Sequence, residues 1–159
     1  MREIKLTTKI AVYPIAECSE MEKKLIEAAK EATKKAYAPY SGFKVGAAVL
    51  LENGEIIAGN NQENAAYPSG LCAERVTIFF ANATYPDQRI EAIAVAAYHN
   101  GGFTDDVITP CGGCRQVLLE TENRFNRAIK ILLYGNESVY KFESAKDLLP
   151  FSFGDKMLK

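Results

Sequence analysis

The sequence predicts an α/β protein of three layers, a mixed five-stranded sheet with helices on both faces. Two patterns lead to it. Short apolar segments at 43–51, 55–58, 90–98, 129–134 and 138–142 have strand character, and stretches with helical apolar spacing separate them. The segment Ile90 to Tyr98 is also almost continuously apolar, as a strand covered on both faces must be. Strands alternating with helices resolve into helix layers stacked on a sheet.

The elements follow in chain order. Residues 3–13 alternate, with Ile4, Leu6, Thr8, Ile10 and Val12 on one side, which predicts a strand; residues 1–18 read as an added strand or an interface arm. Ser19 with Glu22 three residues later forms a capping box. Met21, Leu25, Ala28, Ala29, Ala32 and Ala36 then make one helical stripe, which must end before Pro39. Phe43 to Leu51 reads as a strand, Asn53-Gly54 as a hairpin turn and Glu55 to Ala58 as the returning strand. Cys72 to about Ala83 is helical, Ile90 to Tyr98 is the buried strand, and Asn100-Gly101-Gly102 turns the chain. A helix opens near Cys111, Ile129 to Tyr134 and Ser138 to Phe142 are strands, and Ala145 to Leu149 is a short helix.

The chain has 159 residues, 48% of them hydrophobic and 25% charged, which predicts one domain over 1–159 with a sizeable core. A net charge of −1 argues against a duplex-binding surface, which needs a basic excess. No apolar run approaches the length of a membrane span, and Met1 to Lys5 lacks the apolar core of a signal peptide. A cytoplasmic protein is expected. Cys18 has no partner pattern and reads as a small buried hydrophobe.

The chemistry lies in two strings, Cys72-Ala73-Glu74-Arg75 and Pro110-Cys111-Gly112-Gly113-Cys114-Arg115-Gln116. A Cys-x-x-Cys pair alone serves redox chemistry, structural zinc or catalytic zinc. No thioredoxin-like unit surrounds this one. A structural zinc site wants a fourth ligand, and neither Cys18 nor His99 has ligand spacing. Three thiolates with an open position favour catalytic zinc, one ion per subunit, held by Cys72, Cys111 and Cys114. Both strings open helices, where free N–H groups and the dipole favour thiolates. Three thiolates outweigh the charge of the ion, and Arg75 is expected to donate to the sulfurs and offset them. Glu74, two residues after Cys72, hangs beside the metal as a general acid/base.

These residues resemble the zinc nucleobase deaminases, whose signature pairs a ligand-x-Glu string with Pro-Cys-x-x-Cys. The resemblance is strongest to the small cytidine deaminases of the cytidine and deoxycytidylate deaminase superfamily. It runs from about Tyr37 to Phe153, through Tyr40-Ser41-Gly42-Phe43-Lys44-Val45-Gly46, Asn61-Gln62-Glu63-Asn64-Ala65-Ala66-Tyr67, both cysteine strings, and the tail Leu148-Leu149-Pro150-Phe151-Ser152-Phe153. It implies hydrolytic deamination of cytidine and deoxycytidine to the uracil nucleosides, with zinc activating the water that attacks C4 and Glu74 protonating N3. By the same resemblance the Ala73 N–H binds the base carbonyl and Asn61 and Glu63 bind the ribose 3′-hydroxyl. Gln62 belongs to that sugar-binding stretch, where the family often has an apolar residue. Phe43 lines the pyrimidine pocket, Ala65 and Tyr67 approach the sugar 5′ end, and Phe153 covers the base from a neighbouring subunit of a homotetramer, with Phe151 its rival. Val76-Thr77 and Phe151-Ser152 depart from the family pattern.

The rival enzyme reading is deamination of another aminopyrimidine, such as blasticidin S or deoxycytidylate. Polynucleotide editing calls for a basic stacking groove, and neither the net charge nor Cys72 as first ligand suits it. A zinc-stabilised interaction module would leave Glu74 without a task.

Overall fold

The computed structural model describes residues 1–158. In chain order the elements are β1 (Ala11–Tyr13), α1 (Glu20–Thr33), β2 (Lys44–Leu51), β3 (Ile56–Asn60), α2 (Ala73–Thr84), β4 (Ile90–His99), β5 (Gly102–Phe103), α3 (Gly112–Phe125), β6 (Lys130–Tyr134) and β7 (Val139–Phe142). The sheet order is β1-β7-β6-β4-β2-β3, with β5 pairing onto β4. Only β4 and β6 run parallel, so the sheet is mixed as expected. A parallel pair needs a crossover, and α3 supplies it.

Three layers follow from how the faces divide. On one face Leu25, Ile26 and Ala29 of α1 pack with Ala48, Ala94, Ala96 and Leu132. On the other, Ile78 and Ala81 of α2 and Leu118 and Leu119 of α3 pack with Val49, Ile93, Val95, Ile131 and Leu133. Alternate residues of each strand serve opposite helix layers, as the two-residue period requires. Cys18 is buried in the α1 layer, as a small hydrophobe would be.

Small residues set the spacing of the layers. A Cβ on Gly46 would collide with Ala29 O and lie 2.8 Å from Thr33 N, so α1 sits directly on β2. A Cβ on Gly59 would lie 2.6 Å from Thr77 Oγ1, so α2 sits equally close on β3. Thr77 Oγ1 donates within 2.7 Å of Ala73 O and 3.3 Å of Ala47 O, at the start of α2.

Several expectations need correction. The sheet has seven strands where five were expected. The β5 strand is added because Asn100 (φ 51°) and Gly101 (φ 88°) both adopt the left-handed region, the requirement of a tight hairpin turn. The N-terminal strand shrinks from 3–13 to Ala11–Tyr13, the stretch that meets β7. Ile4, Leu6, Ile10 and Val12 stay exposed. The first helix ends at Thr33, ahead of Pro39 as expected, but Ala36 of the expected stripe lies outside it, and Met21 is exposed while Ile26 is buried. The expected helix at 145–149 is a single 3-10 turn, Ala145–Asp147. The capping box is as expected: Glu22 N donates to Ser19 Oγ at 3.2 Å and Ser19 N to Glu22 Oε2 at 2.9 Å.

Gly46→Ala should destabilise the protein by about 3 kcal/mol or prevent folding, because the α1 backbone atoms at Ala29 and Thr33 that the new methyl meets cannot yield. The midpoint of urea unfolding measures it; an unchanged midpoint contradicts the close packing of α1 on β2.

Candidate metal centre

Helix α2 and helix α3 begin at the same place. Cys72 is the N-cap residue of α2 and Cys111 that of α3, both with extended backbone. Pro110 therefore stands one residue ahead of the cap. Cys72 is brought there by a backbone pairing: Gln62 N donates to Leu71 O at 2.9 Å and Leu71 N to Gln62 O at 3.0 Å. That pair closes the 62–71 loop and lays Cys72 beside Asn61 to Glu63.

The three sulfurs meet. Cys72 Sγ lies 3.8 Å from Cys111 Sγ, and Cys111 Sγ 3.5 Å from Cys114 Sγ. All three fall within 4.8 Å of one another, and they are the metal-capable cluster found among the described residues. Sulfurs held at about 2.3 Å from one tetrahedral zinc stand about 3.8 Å apart, so the donor set fits the ion in identity and in spacing. None of the three is tied up in a disulfide. Pairing with Cys114 pulls the Cys72 thiol down to about 5, with Arg75 and Cys111 adding to the effect. Cys114 is pushed up by the same pairing and by burial.

Arg75 Nη2 lies 3.8 Å from Cys72 Sγ, in contact with one of the three sulfurs. Contact with Cys72 raises the guanidinium further above its ordinary value. Its buried Nε has no hydrogen-bond partner among the described residues. Arg115, equally close to the ligands in sequence, turns elsewhere: Nε donates to Pro110 O at 2.8 Å and Nη1 to Leu148 O at 3.0 Å. Glu74 is only 5% exposed. Burial raises its carboxyl above the usual range, with neighbouring Cys72 adding to the rise.

Two cavities meet at this point. The inner one, about 210 Å³, is lined by Val45, Asn61, Cys72, Ala73, Glu74, Ile108, Thr109 and Cys111. The outer one, about 540 Å³, is lined by Tyr40, Ser41, Asn61 to Asn64, Tyr67, Gly70 to Cys72 and Arg75. Asn61 and Cys72 line both. Ile108 and Thr109 escaped the sequence reading because nothing in an apolar residue and a threonine ahead of Pro110 signals a pocket wall. Tyr40 and Ser41 escaped it because their task depends on contact with Glu63, which is distant in sequence.

Other expected site residues are placed less directly. Phe43, Ala65 and Phe153 line neither cavity. The Phe43 ring stands 5.3 Å from His99, whose Nδ1 is 3.3 Å from Gly42 O. Tyr67 lines the outer cavity and is 78% exposed. Phe153 is 57% exposed, and Phe151, its rival, 88%. Gln62 Nε2 donates to Asn60 Oδ1, and Asn60 Nδ2 to Ala32 O at 3.1 Å.

Asn61 and Glu63 already hold the backbone. Asn61 Oδ1 accepts from Val45 N at 2.8 Å and its Nδ2 donates to Phe43 O at 2.9 Å, extending the β2–β3 pairing by one side chain. Glu63 accepts from Ser41 Oγ and from Tyr40 N, the latter at 2.9 Å. These bonds, the Ser41 hydroxyl first, hold its carboxyl below the ordinary value.

Comparison with known proteins agrees with this geometry. Residues 19–128 match the family model described as the cytidine and deoxycytidylate deaminase zinc-binding region. The chain is 38% identical over 135 residues to the cytidine deaminase of Sporosarcina psychrophila, covering 85% of this chain and 93% of that one. It is 35% identical over 139 residues to the probable cytidine deaminase of Dictyostelium discoideum, covering 87% of each. Among solved structures, the crystal structure of cytidine deaminase from Burkholderia pseudomallei superposes with a TM-score of 0.70 at 42% identity, over 82% of this chain and 98% of that one.

Removing the Ser41 hydroxyl should raise the Glu63 midpoint toward the ordinary carboxyl value. A carboxyl-carbon NMR titration of Ser41→Ala reads it, and an unmoved midpoint would contradict the bond. Since the folded value is depressed, any stability Glu63 contributes is present above the unfolded value. It is lost as pH falls through the folded one.

Proposed function

Since the chain belongs to the cytidine and deoxycytidylate deaminase family, we propose that it hydrolyses the 4-amino group of cytidine and deoxycytidine, releasing ammonia and the uracil nucleosides. The observation that carries this reading is the three-thiol cluster beside buried Glu74, where the inner cavity lined by Glu74, Cys72 and Cys111 meets the outer one through Cys72. Zinc held by Cys72, Cys111 and Cys114 supplies the Lewis acidity that makes water nucleophilic near neutral pH.

The chain's own residues do the rest. Glu74 lines the inner cavity next to Cys72. There it takes a proton from the attacking water and gives it to N3 of the pyrimidine. It then carries the second proton of the water to the departing amino group as the C4–N bond breaks. The Ala73 N–H, free in the first turn of α2, binds the base carbonyl. Arg75 offsets the thiolate charge.

Asn61 and Glu63 face the sugar in the outer cavity. Asn61 Nδ2 keeps a second hydrogen, and Glu63 Oε1, which accepts from Ser41 Oγ, keeps a further lone pair, whereas Oε2 accepts from both Tyr40 N and Ser41 N. Both side chains can therefore meet a 3′-hydroxyl while still holding the backbone. A sugar lacking that hydroxyl leaves them unmatched. Gln62 and Tyr67 border the same cavity. Ala65 sits between them in sequence, at the sugar's 5′ side.

A homotetramer with shared sites completes the reading. Phe79 and Phe80 on α2 are exposed, as are Tyr67, Phe151 and Phe153. Phe79 and Phe80, adjacent on α2, suit a surface that another subunit covers. Phe43 and a neighbour's Phe153 then close on the base. We read residues 1–159 as one catalytic domain, with 1–18 as an added arm. No described helix is long and apolar enough to cross a membrane. Free thiols at the site call for a reducing compartment such as the cytoplasm.

Ultraviolet absorbance over cytidine, deoxycytidine, deoxycytidylate, blasticidin S and a short single strand tests the substrate, and turnover is expected with the first two. Glu74→Gln should keep zinc and lose roughly 100- to 10,000-fold in kcat; near-normal turnover would overturn its role. Activity per subunit should fall on dilution in step with dissociation, followed by light scattering. A fully active monomer would refute the shared site.

A further inference from the structure

Two residues directly after the last thiol ligand do not face the cavities. Arg115 Nη1 donates to Leu148 O at 3.0 Å, and Gln116 Nε2 donates to Phe153 O at 3.1 Å. The helical turn that presents Cys111 and Cys114 therefore grips the tail at both ends of 148–153. Leu148 is buried in the α2–α3 core and Phe151 stands in solvent. The segment between them is an exposed loop pinned twice to the metal-binding turn. Beyond it, Ser152, Gly154 and Met157 border a small cleft with Leu119 and Asn123 of α3.

The same arginine reaches back to the ligands. Arg115 Nε donates to Pro110 O at 2.8 Å, one residue before Cys111. A single guanidinium thus joins the peptide that aims a thiol to the peptide where the tail departs. Its donors are fixed in one plane, so a shift of Pro110 and Cys111 is passed to Leu148.

We propose that Arg115 and Gln116 are positioning residues that couple metal binding to tail placement. An ion drawing Cys111 and Cys114 together fixes this turn, and the turn fixes Phe153. The coupling rests on the zinc reading above. With shared sites, it makes the metal of one subunit a condition for the aromatic lid offered to the next. Coupling of this kind is reciprocal, so loosening the tail lowers metal affinity by the same factor.

The chain has no tryptophan, so Phe151→Trp provides a single fluorescent reporter in the full-length protein. Cobalt(II) is added to protein freed of metal by a chelator, and its thiolate absorption band reports ligation. The parent should show an emission shift that tracks the band. In the same background, Gln116→Ala and Arg115→Gln should keep the band, lose more than half of the shift and bind cobalt roughly three- to tenfold more weakly. Arg115→Lys, which keeps a donor, should recover part of both. Far-ultraviolet circular dichroism matching the parent separates these effects from misfolding. A full emission shift with unchanged affinity in both variants would overturn the coupling. A parent with no cobalt band would instead remove the zinc reading itself.

Discussion

The convergence of two helix N-termini on one point is the constraint from which the rest of the site follows. Cys72 and Cys111 cap α2 and α3, and Cys114 lies one turn into α3. Three sulfurs within 4.8 Å would otherwise be an unfavourable gathering of groups that titrate against each other. Helix starts ease it, because their free N–H groups and dipoles favour thiolate. Arg75, against Cys72 Sγ, adds a full positive charge.

Close packing makes that convergence possible. Glycine at 46 and 59 lets α1 and α2 lie directly on the sheet, where any side chain would meet backbone or Thr77. The parallel β4–β6 pair forces the chain to cross over through α3, which brings the second cysteine string back to the first. Core dimensions and site dimensions are thus set by the same small residues.

The polar residues around the outer cavity serve the backbone before any ligand. Asn61 completes the ladder between β2 and β3, and Glu63 fixes the Tyr40–Ser41 turn. Rigid second attachments of this sort hold a binding group in one rotamer, so ligand binding costs less conformational entropy. Glu122 does similar work far from the cavities. It accepts from Ile129 N, Ala145 N and Ser144 Oγ, tying α3 to the chain ahead of the tail.

Much of this was legible in the chain because it is local. A capping box, an Asn-Gly turn and a Cys-x-x-Cys at a helix start are each written within a few residues. Their chemistry depends on residue type and spacing alone. The donor set of the metal centre, the carboxylate beside it and the layered α/β architecture were therefore set by the sequence. Other features depend on contacts between residues far apart in the chain. Residues 3–10 alternate as a strand should, yet the structure gives them no ladder. Arg75 and Arg115 stand equally near the ligands in sequence, but only the fold sends one to a sulfur and the other to Pro110 and Leu148. The occupation of Asn61 and Glu63 by backbone, the pocket walls at Ile108 and Thr109, and the grip on the tail were likewise decided by tertiary structure. Each needs two distant segments to meet, and no local spacing encodes that meeting.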